Sequence, residues 1–252
     1  TLYADENFDA LAWNDPSNIP TGKAITLVGA DTERTITLTG NGNMFYVEGS
    51  LTLDNNLTLK GHGSNNSSLV EVYEGGSLVM KAGAKISGNT ASAGGGVSVI
   101  IGGNFTMEGG EISGNTATGS LPNVPTLFLV SDGSGGGVLV QGGNFTMKGG
   151  TISGNTASGV FSGSVELWTG SGGGVAVWDG SFSKTGGTIY GNTGNANVVK
   201  TSDSSPVDTM GHAVYYQTDD SYYYRDATLG AGDNISTSQV PSSGTQYNWT
   251  KK

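Results

Sequence analysis

The chain contains no cysteine, which excludes disulfides, thiolate metal sites and thiol nucleophiles. It is also poor in charge. Only 13% of its residues are Asp, Glu, Lys or Arg, with 11 cations against 21 acids and a formal net charge of -10. Such a surface offers neither the basic stripe that nucleic acid needs nor a polybasic patch for anionic lipid. No apolar run reaches the ~20 residues that cross a bilayer as a helix. Of the two histidines, His62 and His212, neither has a partner at a metal-ligand or catalytic spacing. We therefore expect no metal, no cofactor and no catalytic residue. The 6 prolines, at 16, 20, 122, 125, 206 and 241, all avoid the strands proposed below. No helical period links the apolar segments, so βαβ units are excluded.

Glycine is abundant, 44 of 252 residues, and it is ordered. "GGGVSVIIGGNFTMEGGEISGNTA" (94–117) is followed by "GGGVLVQGGNFTMKGGTISGNTA" (135–157) and "GGGVAVWDGSFSKTGGTIYGNTG" (172–194). Each unit carries apolar residues two apart, the strand period. These are Val97 and Val99, Val138 and Val140, Val175 and Val177; then Phe105 and Met107, Phe145 and Met147, Phe182 with Lys184 in the Met place; then Ile112, Ile152 and Ile189. Weaker copies begin at Ile25, Phe45 and Val70, and a degenerate one follows near 212. Three strands of about four residues are too short for a sandwich, so each must pair in parallel with its equivalent in the next unit. The expectation is an all-β, right-handed parallel β-helix with three strands per coil. About seven or eight coils at ~4.8 Å would span roughly 35–40 Å.

The expected organisation is an N-terminal cap at 1–22, coils at 23–226 and a C-terminal cap or tail at 227–252. "DENFDALAWND" (5–15) reads as a short plugging helix, with Asp5 as N-cap and Pro16 as stop. Asn89, Asn115, Asn155 and Asn192 each follow Gly and precede Thr. They read as a structural ladder at a coil corner, bonding side chain to backbone. Asn104 and Asn144 stand in the acceptor pattern "NFT", which we read as coincidental.

The turn back to the first strand is short at 91–93. It grows to insertions at 118–134, 158–171 and 194–210, whose sequences do not resemble one another. Insertions on one flank of a solenoid are often its binding surface. Phe128, Phe161 and Trp168 are the candidate contact residues there. A second candidate is the coil with Tyr222, Tyr223 and Tyr224 beside Asp219, Asp220, Arg225 and Asp226. Two carboxylates flanking a sugar there would suit glycoside hydrolysis.

The units resemble the repeats of bacterial surface β-helix proteins, among them the chlamydial polymorphic outer-membrane proteins and related adhesins. "GGGV" at 94, 135 and 172 corresponds to their GGA[I/V] motif. "ISGN" at 86, 112 and 152 and "IYGN" at 189 correspond to FxxN, with Ile in place of Phe. The fold is shared with pectate-lyase-like enzymes. The resemblance, over about 40–195, implies an exported, extracellular or cell-surface module of a bacterium. The chain starts at Thr1, which fits a mature form or an excised fragment. The expected role is non-catalytic, adhesin-like binding or display of a host or neighbouring protein or a glycan. The molecule would be a monomer or part of a larger chain, with no membrane insertion. Alternatives are a carbohydrate-active or sugar-binding module and a structural spacer.

Overall fold

The computed structural model describes residues 1–10, 18–119, 133–159, 170–200, 211–218, 221–239 and 249–251. Among them the protein is all-β, a solenoid-like stack of parallel sheets; the sole helical element is a 3-10 turn at Thr237–Gln239. The chain passes through the same faces in turn, and each strand pairs with its counterpart in the next repeat. One sheet runs from Ala24–Leu27 through Asn104–Met107 and Asn144–Met147 to Ser181–Lys184. A second runs from Glu6–Phe8 through Glu111–Ser113 and Thr151–Ser153 to Thr188–Ile189. A third runs from Phe45–Val47 through Val97–Val99, Val138–Gln141 and Val175–Trp178 to Val214–Thr218.

The register puts like on like. Phe105, Phe145 and Phe182 face inward in one column, with ring centroids 4.6 and 5.2 Å apart. Val97, Val138 and Val175 form another column, and Ile86, Ile112, Ile152 and Ile189 a third, all fully buried. Burial of each such side chain is worth roughly 1.5–3 kcal/mol. Because strands alternate, slipping any pair by one residue would turn a whole column outward; the columns therefore fix the register.

Two features differ from the sequence expectation. The later coils hold a fourth short strand, at Thr90–Ala91, Thr116–Thr118, Thr156–Ser158 and Val198–Lys200. Thr and Ala after the "GN" corner extend the ladder instead of starting a loop. One of these strands, Val198–Lys200, lies inside the third expected insertion, 194–210, of which 201–210 fall outside the described residues. The second difference lies at the N-terminus. Glu6–Phe8 is a strand on Arg34–Leu38, not the first turn of a helix; 11–15 of the expected helix lie outside the described residues. The open edge of the second sheet offers ladder bonds, and Phe8 joins the apolar column and packs on Phe45 at 5.6 Å. That tertiary gain outweighs helix propensity.

The far end is closed by antiparallel chain. Ser221–Arg225 turns back on Val214–Thr218, Ile235 pairs with Lys184, and Trp249 is fully buried. Lys184 ends the column Leu27, Leu53, Met80, Met107, Met147. It is fully buried, and its ammonium donates to the carbonyls of Gly230 (2.6 Å) and Asp233 (2.9 Å). Burial lowers its pKa, an effect opposed by Asp233.

Candidate functional site

The corner asparagines are a buried hydrogen-bond chain. Asn155 Nδ2 donates to Ile112 O (3.0 Å), and its Oδ1 accepts from the Asn115 amide (3.0 Å) and from Asn115 Nδ2 (3.1 Å). Asn115 Oδ1 in turn accepts from the Asn89 amide, and Asn89 Oδ1 from Asn65 Nδ2. Gly114 and Gly154 precede two of these rungs with φ of 64° and 62°, a corner that a side chain at Cβ would strain. The last glycine of each "GGG" has a different reason. A Cβ on Gly137 would lie 3.0 Å from Asn155 Nδ2, so the amide fits only against bare backbone. The expected fourth rung is corrected: Asn192 is exposed, and Asn197 takes the place, fully buried, accepting from Asn155 Nδ2 at 2.9 Å. The last corner is longer than the others, so the asparagine nearest Ile189 overshoots into solvent. Asn65, in "GSNNSS", was missed because no "ISG" precedes it. With every rung bonded inside the wall, this row presents no free amides to a ligand.

The insertions leave from stacked points. Gly119 N donates to Ser158 O and Gly159 N to Lys200 O; on the return side Gly135 N donates to Ser171 O. Exit and re-entry also touch, since a Cβ on Gly133 would lie 2.8 Å from Gly119 N. Phe128, Phe161 and Trp168 lie outside the described residues.

Next to these roots, the outward face of the third sheet is apolar where the alternation calls for polar residues. Leu139, Ala176 and Trp178 form a buried cluster with Ala93 packed on it. Trp178 continues to Tyr215 (6.5 Å) and Tyr215 to Tyr222 (6.2 Å). The Trp178 indole N–H is buried without a hydrogen-bond partner among the described residues. Burial, then the Tyr222 hydroxyl, raises the Tyr215 pKa. The signal was present in the sequence: "VLV" and "VAVW" are continuous apolar runs, the mark of a strand covered on both faces.

The three tyrosines at 222–224 divide. Tyr222 is 37% exposed and Tyr224 half-buried, but Tyr223 is corrected from a contact residue to a core residue, 5% exposed and stacked on Tyr216 at 5.9 Å. Asp226 is engaged by the chain, its Oδ1 accepting from the Gly211 and His212 amides at 3.0 Å each. Asp219 and Asp220 lie outside the described residues.

At the other end of the same face stands Glu71, beside Tyr46 and Tyr73, whose rings are 5.6 Å apart. Burial raises the Glu71 pKa, opposed by hydrogen bonds from Asn43 Nδ2 (3.0 Å) and Tyr73. Burial and the Glu71 charge together push the Tyr46 and Tyr73 hydroxyls up. Among the described residues no group of three His, Asp or Glu is placed to hold a metal ion, and no helix is long and apolar enough to cross a membrane. Comparison of the chain with protein-family profiles, curated proteins and solved structures returns no match.

Proposed function

We propose that the protein is a right-handed parallel β-helix acting as a non-catalytic binding or display module of adhesin type, on the surface of a bacterial cell or secreted from it. Parallel crossovers in one sheet are right-handed in nearly all cases, which supports the hand. One observation carries the function: the roots of three unlike insertions stack on one flank, beside an outer sheet face whose apolar row Leu139, Ala176, Trp178 is covered. A spacer needs only polar outer faces, as the row Thr58, Lys85, Glu111, Thr151 on the second sheet is. Unlike insertions leaving side by side from one flank suit recognition of a host or neighbouring protein. A glycan is the second partner class, favoured by the Tyr222 ring, 37% exposed.

Replacing 158–171 by Ala-Ser-Ala tests the reading. Because exit and re-entry are adjacent, the short turn closes without moving the coils, so the β-sheet circular dichroism is retained. Binding to the partner that a host-protein and glycan array reveals is lost. Undiminished binding by the shortened protein would refute this assignment of the face.

A further inference from the structure

A different face carries a groove whose floor includes the residues directly before three of the "ISGN" motifs. It runs along the outside of the second sheet, encloses about 550 Å³, and is lined by Thr58, Lys85, Glu111, Thr151, Tyr190 and Asn195, with Glu33 at one end. Thr58, Lys85, Glu111 and Thr151 are register partners in successive coils, so they form one straight row on the floor. Tyr190 and Asn195 close the end toward the last coil. The lengthened corner that displaced Asn192 is what puts them there: Gly154 N donates to Asn195 O, and Tyr190 N to Ile152 O.

The chemistry of the lining selects among ligands. Lys85 Nζ lies 3.5 Å from Glu111 Oε2, and both side chains are about two-fifths exposed, at 39% and 42%. Thr58 Oγ1 donates to Glu33 Oε1 at 2.7 Å. The single cation is thus set among two carboxylates, so phosphate, sulfate and uronate are repelled. The floor is a sheet face, and its backbone amides and carbonyls are taken up by the parallel ladders. An extended peptide binds a sheet by its free edge and cannot do so here. What remains is a line of side-chain donors and acceptors, one set per coil at ~4.8 Å, ending on an aromatic ring. The spacing is close to the length of one sugar residue in an extended chain.

We infer that this groove binds an uncharged, hydroxyl-rich oligosaccharide lying along the coil axis, with Tyr190 stacking on one terminal ring and Lys85, Glu111 and Thr151 bonding hydroxyls. The site is separate from the insertion flank and stands whether or not that flank binds a protein. The test uses the full chain against an array of neutral cello-, xylo-, manno-, malto- and chito-oligosaccharides, followed by calorimetric titration of the best binder. Tyr190→Ala and Glu111→Gln should each weaken binding about tenfold or more, with unchanged circular dichroism and melting temperature. Tyr222→Ala and the Ala-Ser-Ala replacement of 158–171 should leave it intact. If Tyr190→Ala does not fold, Glu111→Gln decides alone. No binding to any neutral oligosaccharide, binding that both groove variants leave unchanged, or binding lost with the insertion would each overturn the inference.

Discussion

At the scale of single residues, position in a column decides what a substitution does. Asn155 is fully buried and makes bonds both up and down the stack. Asn155→Ala leaves Ile112 O and the Asn115 amide without their partner, and should cost about 1–3 kcal/mol in a denaturant melt. Asn192→Ala, at the next occurrence of the same motif, should stay within about 0.5 kcal/mol because Asn192 is exposed. The sequence displays both as "GN", and only the length of the corner separates them. Glu71 supplies a pH dependence. Its folded pKa is raised by burial above the ordinary 4.5, so in that window the folded state holds the proton more firmly than the unfolded chain. The stability contributed by the protonated carboxyl is fully present below about pH 4.5 and is lost as pH rises through the folded pKa. Melting temperatures measured across that range should fall with pH, and Glu71→Gln should flatten the slope.

At the scale of elements, what the sequence disclosed was what repeats. The Val, Phe and Ile columns were legible because three near-identical units give the strand period three times over. The strand at Glu6–Phe8 was not, because its stability comes from Arg34–Leu38, a partner that local propensity does not know. The fourth strand was hidden for a similar reason: "TAT" and "TAS" are neutral sequences that become strands only beside one another. Trp178 was legible but unread, as the apolar run it ends looks the same from either face. The groove was only partly legible: Lys85, Glu111 and Thr151 each precede an "ISGN" motif, but they differ in type, and Thr58, Tyr190 and Asn195 are joined to them only by the fold. The closing segment can be tested as an element. Lys184→Met takes the ammonium away from Asp233 O and leaves Gly230 O with the Asp233 amide alone. Hydrogen exchange should then accelerate in 229–236 while the amides of 138–147 remain protected. Equal protection of 229–236 in both proteins would show that the ammonium does not hold the segment.

At the scale of the whole molecule, the two ends are unlike. Among the described residues no strand pairs with the outer edge of Ala24–Leu27, with Ile25 40% exposed, whereas Ser181–Lys184 pairs with Ile235 and Ser236, and the Trp249 indole donates to Ser236 O. A stack of identical coils has in principle no reason to stop, and one molecule's open edge could extend another's last coil. The column that begins at Leu27 and ends at Lys184 forbids it. A second molecule joined head to tail would seat Leu27 on an ammonium and strip that ammonium of both carbonyls. One lysine in a methionine row is therefore a full stop in the grammar of the repeat. At this face it disfavours a further coil stacked in register, and so withholds the endless fibre that the repeat geometry would otherwise permit.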